Sequence, residues 1–161
     1  MKESLPATIS PEKQELLTLE KSGKFVFHGT AEEVESLEPR QAIDTKKGLD
    51  RKPAVFASVA ADYAIFRAIL HDRNLPSGAS FVFATGATAH KDGSFTLKFK
   101  APKAALDALP DSTFGYVYVF DKKSFNQIPG RRVECESNVP VKPIKKIKVL
   151  KRDLPSNIIF E

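Results

Sequence analysis

Lys24-Phe25-Val26-Phe27-His28-Gly29-Thr30 is the stretch from which the fold is read. In an extended strand Phe25 and Phe27 face one side, and Val26 and His28 the other. The run ends in Gly29-Thr30, where the backbone can approach a ligand closely. A lone imidazole therefore stands at the mouth of an otherwise apolar strand, beside exposed amides. The plainer alternative is a structural histidine next to a turn, because a three-residue pattern is weak by itself.

Upstream, residues 1–9 read as a loose tail. Ser10-Pro11-Glu12 reads as a helix start, with Ser10 as N-cap, Pro11 in the first turn and Glu12 and Glu15 near the positive end of the dipole. Leu16, Leu17 and Leu19 give that helix an apolar side, and Ser22-Gly23 ends it. Downstream, residues 31–53 form a polar connection. Pro39 discourages helix within it, and Asp44 to Lys52 carries four lysines or arginines, as an exposed loop would. Connections of this length often carry function.

Ala54-Val55-Phe56-Ala57 reads as a short strand, closed by Ser58, which would cap a helix over roughly 59–72. In that helix Ala60, Ala64 and Ala68 recur every fourth residue, a flat stripe suited to close packing on a sheet, and Ile65 and Ile69 widen it. Asn74 to Gly78 breaks the helix. Thereafter the pattern is mostly strand: Ser80–Thr85, a turn at His90–Ser94, Phe95–Lys100, Gly115–Phe120, Val133–Ser137 and Ile144–Val149, with a helical turn within Pro102–Leu109. Helix, strand, loop, strand, helix and then strands make an α+β fold with an antiparallel-rich sheet.

The 161 residues are read as one domain, 1–161, long enough for a core of its own. A hydrophobic content of 42% and a charged content of 28% are those of an ordinary globular protein. No apolar run approaches the ~20 residues that cross a membrane, and the first residues lack the apolar core of a signal peptide. The single cysteine, Cys135, has no internal disulfide partner. These features point to the cytoplasm. The net charge of +5 permits an anionic ligand without requiring one.

Three elements carry candidate chemistry: His28-Gly29-Thr30, then Val55-Phe56-Ala57-Ser58 running into a helix, then Glu134 and Glu136 on a late strand. In this order they resemble the ADP-ribosyltransferase superfamily, in the branch with diphtheria toxin and the poly(ADP-ribose) polymerases, and in particular its small single-domain members. The resemblance covers about residues 24–150 and lies in the order and spacing of short motifs. It implies a split, antiparallel-rich β-sheet with a few helices. It implies NAD as co-substrate, with His28 bonding a ribose hydroxyl, Gly29 and Thr30 meeting the nicotinamide amide, and Phe56 and Ser58 in the second motif. Tyr63 is the nearest match to the family tyrosine that stacks on nicotinamide, with a core residue as the alternative. Arg40 would reach the pyrophosphate, with a solvated loop arginine as the alternative.

A carboxylate near the breaking nicotinamide–ribose bond would stabilise the oxocarbenium-like charge. Glu134 and Glu136 share one face of their strand and Cys135 takes the other. Glu134 stands three before Ser137, as in the relatives with a single glutamate. The Glu-x-Glu spacing instead resembles arginine-modifying members, in which the second glutamate acts. Both stay candidates, beside the alternative of an exposed, ion-paired sheet edge.

Other readings remain open. A tRNA 2′-phosphotransferase has a similar core and also uses NAD, but relies on a histidine and several arginines, for which Arg40, Arg51, Arg67 and Arg73 would serve. A member of the fold that only binds a nucleotide or a partner is the non-enzymatic alternative. His71, near a helix end where a cation is favoured, and His90, in a turn, form no metal-spaced cluster, so no metal is expected. Cys135 reads as a small buried apolar residue. From Lys142 to Arg152 six basic residues alternate with apolar ones, as on an edge strand with a solvated lysine face. Binding to nucleic acid is expected to be weak and non-specific at most.

Overall fold

The computed structural model describes residues 9–39, 53–77 and 81–160. In chain order the elements are α1 (Pro11–Ser22), β1 (Phe25–Thr30), β2 (Val55–Ser58), α2 (Ala61–Ile69), β3 (Ala84–Ala89), β4 (Phe95–Ala101), α3 (Lys103–Asp107), β5 (Phe114–Asp121), β6 (Asn126–Gln127), β7 (Glu134–Ser137), β8 (Lys145–Leu150) and β9 (Ile158–Phe160). Six strands form one antiparallel sheet in the order β6-β7-β2-β1-β5-β8, and β3-β4-β9 form a second. Among the described residues only the β4–β9 pair is parallel. The fold is thus α+β with two mostly antiparallel sheets.

Helix α1 begins as its sequence predicts. The Lys13 N–H donates to Ser10 Oγ at 3.0 Å, which satisfies one of the first-turn amides. Gly23, at φ 72°, closes the other end. Ser10 also donates to the buried carboxylate of Asp153 at 2.6 Å, and the Leu150 N–H donates to the other oxygen of that carboxylate. One carboxylate therefore ties the start of α1 to the end of β8.

Strand β1 obeys its alternation. Phe27 is buried in one core and Phe25 packs on it, whereas Val26 is buried in a second core on the far face of the sheet. Helix α2 covers the first face. Its residues are buried except for Asp62 and Arg67, because the large sheet lies on one side and the Phe83 and Phe99 rings of the small sheet's region on the other. The alanine stripe does what its spacing predicts. A Cβ built on Gly29 would lie 1.8 Å from the Ala64 carbonyl oxygen, and one on Gly115 would lie 2.4 Å from that of Ala68. Two glycines on neighbouring strands therefore let the helix backbone rest directly on the sheet.

Several boundaries differ from the sequence pattern, each for a tertiary reason. Helix α2 is shorter than 59–72. Ser58 does not cap it but accepts from the Ala60 N–H at 3.0 Å in a local turn. The cap comes from α1, where Glu20 Oε1 accepts from the Ala61 N–H at 2.7 Å. At the other end the Asn74 amide donates to the carbonyls of Ala68 and Ile69, which stops the helix before His71. The expected strand over 80–85 begins instead at Ala84. The His90–Ser94 turn sets the register, Ala89↔Phe95 back to Ala84↔Lys100, and β4 runs one residue further, to Ala101. On β8 the buried residues are Ile147 and Val149, while Ile144 lies outside the strand and is exposed. The tail (1–8) and the basic loop (40–52, with Arg40 and Arg51) lie outside the described residues. No helix among the described residues is long and apolar enough to cross a membrane.

Candidate functional site

The three motif-bearing strands are neighbours: β7 pairs with β2, and β2 with β1. The β1–β2 ladder is registered at one position, Phe27↔Ser58. Beyond it the His28 Nδ1–H donates to the Phe56 carbonyl at 2.5 Å. A carbonyl only accepts, so Nδ1 carries a proton in this contact. The imidazole thus bridges β1 and β2 where a backbone ladder bond would otherwise run. Phe56 in turn lies opposite Glu136, and Ser58 opposite Glu134. Continued from Phe27↔Ser58, the antiparallel register sets Gly29 level with Phe56 and Glu136, and His28 level with Ala57 and Cys135, with β1 and β7 roughly 10 Å apart.

The pleat separates the candidates by face. Phe27, Ser58 and Glu134 share the α2 side through paired registers, and Phe56 and Glu136 join them by the two-residue repeat. His28 belongs by the same repeat to the other side, level with Tyr118 of β5. Gly29 faces α2, and the contact with Ala64 accounts for the glycine without any ligand. Thr30 is buried. Its hydroxyl oxygen lies 3.3 Å from His71 Nε2 and accepts from the Glu32 N–H. His71 Nδ1 accepts from the Arg73 N–H, so the neutral Nε2–H ring fits both contacts. Burial pushes the His71 pKa down, against the sequence expectation of a cation at a helix end.

On the α2 side a cleft of about 490 Å³ opens between α2, β3 and the 130–134 segment. Tyr63, Arg67, Thr85, Arg131, Arg132 and Glu134 line it. The Tyr63 ring is 7% exposed, with Phe99 at 6.4 Å and the Arg67 guanidinium at 5.7 Å, and its hydroxyl accepts from Thr85 Oγ1 at 2.7 Å. Glu134 pairs with Arg131 at 3.2 Å. Gly130, at φ 78°, makes the turn that delivers Arg131 and Arg132 to the rim. A second cleft, of about 270 Å³, shares Arg132 and includes Cys135. Burial pushes the Cys135 thiol up, which makes it a poor nucleophile.

The structure thus gathers Tyr63 and Glu134 in the cleft and sets His28 on the opposite face of the sheet from Phe56, Glu134 and Glu136. Arg40 lies outside the described residues. Arg131 and Arg132, which immediately precede the glutamate strand, emerge as cleft residues. Arg67, one of the arginines named for the 2′-phosphotransferase reading, joins them as the single positive charge of α2. Among the described residues no three His, Cys, Asp or Glu side chains gather as a metal site. No family model, curated protein or solved structure matches this chain.

Proposed function

We propose that this protein binds NAD and transfers its ADP-ribosyl group to an acceptor. The bond between ribose C1′ and the nicotinamide nitrogen breaks, nicotinamide leaves with the bonding electrons, and the acceptor adds at C1′ and gives up its proton. One observation supports this above the rest: strands β1, β2 and β7, which bear the three motif elements, are consecutive in one sheet although long stretches of chain separate them.

The residue roles are carried over from the resemblance, and the strand registers set His28 on the opposite face of the sheet from Phe56 and the two glutamates. His28, which donates to the Phe56 carbonyl, is the residue the resemblance assigns to a ribose hydroxyl. The carboxylate of Glu134 or Glu136 offsets the positive charge that develops on the ribose. Phe56, half-buried in the second motif, is our candidate for the ring that covers the nicotinamide. Tyr63 is the weaker candidate for that task because its ring is buried, with Phe99 and Arg67 beside it.

The same tyrosine favours a second reading, a domain that binds the nucleotide without cleaving it. Calorimetric titration of NAD into wild type and His28→Ala tests the binding step. Wild type is expected to bind, and the variant to bind roughly 10- to 100-fold more weakly, as for one lost buried hydrogen bond of ~1–3 kcal/mol. Equal affinity in both removes His28 from the site. Binding without release of nicotinamide selects the second reading.

A further inference from the structure

The cleft between α2, β3 and the 130–134 segment has a charge that neither the fold nor the motif residues explain. Arg67, Arg131 and Arg132 bring three positive charges and Glu134 one negative charge, a balance of +2. Only Arg131 is answered by a carboxylate within the cleft. Among the described residues Arg67 and Arg132 have no carboxylate within 4.0 Å. Like charges gathered around a concave surface repel one another, and three fork-shaped donors are well suited to the oxygens of a phosphate.

We infer that this cleft binds a small phosphomonoester, a sugar phosphate or a mononucleotide. A phosphomonoester carries close to two negative charges above its second pKa of about 6, which matches the +2 balance. A phosphodiester carries one. The volume of about 490 Å³ falls in the range of small-ligand sites, about 300–1,000 Å³. The part-buried Tyr63–Thr85 bond ties α2 to β3 at the cleft, and the left-handed turn at Gly130 leads into the two arginines. The inference rests on the cleft alone and does not depend on NAD binding at the β1–β2 seam.

Calorimetry on the full chain with ribose 5-phosphate, AMP, cyclic 3′,5′-AMP and ribose tests it. Ribose 5-phosphate and AMP are expected to bind, cyclic 3′,5′-AMP about tenfold more weakly, and ribose not at all. Arg67→Gln and Arg132→Gln should each weaken AMP binding roughly tenfold or more, as the loss of a charged hydrogen bond does. Because Arg67 and Arg132 are exposed, both variants should melt within a few degrees of wild type. AMP is also a part of NAD, so the assignment to this cleft rests on ribose 5-phosphate and on the Arg67 and Arg132 variants, which lie outside the residues proposed for ADP-ribosyl transfer. Failure of ribose 5-phosphate and AMP to bind at 10 mM overturns the inference. So does equal binding of AMP to the double variant, or equal affinity for AMP and cyclic 3′,5′-AMP.

Discussion

Replacing Gly29 by alanine separates two explanations of the His-Gly-Thr element. If the glycine exists to let a ligand approach, the substitution should damage binding and spare the fold. If it exists to seat α2, the fold should suffer. The added methyl would lie 1.8 Å from the Ala64 carbonyl oxygen and 3.0 Å from the Ala68 nitrogen, both of them backbone atoms that no rotamer change can move aside. The helix must back away until that contact exceeds 3.0 Å, more than an ångström of movement.

A gap of 0.5–1 Å already forfeits a quarter to a half of each dispersion contact. Ile65, Phe66, Ala68 and Ile69 on α2 are all buried and would share the loss. Overpacking commonly costs ~1–3 kcal/mol, and with the helix displaced as a unit we expect about 3–5 kcal/mol. For a domain of this size that lowers the melting midpoint by roughly 6–20 °C. Gly86→Ala is the control, since a Cβ there meets nothing within 4 Å. Thermal and urea unfolding read the difference. A Gly29→Ala midpoint equal to wild type, with NAD binding lost, would refute the packing account.

Three further outcomes are expected. The His71 pKa is lowered in the folded chain, so between that value and its ordinary 6.5 the unfolded chain holds more protons. Its contribution to stability is therefore present above pH 6.5 and lost as pH falls, and urea midpoints at pH 5.0 and 7.5 should differ less in His71→Gln than in wild type. Glu134→Gln and Glu136→Gln keep shape and remove charge; the one that acts should slow nicotinamide release ~10²–10³-fold with NAD affinity little changed, while the other stays near wild type. Lys145 and Lys146 are paired with Glu15 and Glu33, and Lys146 and Lys148 lie over the Tyr116 and Phe114 rings, so binding to RNA should be weaker than ~10 μM at physiological salt, and sub-micromolar salt-sensitive binding in a filter assay would contradict it.

Local signals were legible in the chain. Ser10-Pro11 and Gly23 set the bounds of α1, alternation put Phe27 and Val26 on opposite faces, and the alanine spacing foretold a helix lying close on a sheet. What depended on remote partners was not legible. Glu20 caps a helix 41 positions away. The two-residue strand β6 and the three-residue β9 are too short to show a period and are defined only by pairing with β7 and β4. In the candidate site, His28 and the glutamates stood out as motif residues, but their faces follow from strand registers that no local pattern reveals. The arginine cleft joins a helix, a hairpin and a loop, and periodicity within any one of them says nothing about the others.

The central claim, transfer of ADP-ribose from NAD, is tested most directly by measuring nicotinamide released from NAD by mass spectrometry, with wild type beside the Glu134→Gln/Glu136→Gln double variant. Nicotinamide that accumulates with wild type and falls at least ~100-fold in the double variant is the predicted result. No release above the enzyme-free blank, or equal release from both proteins, would contradict it.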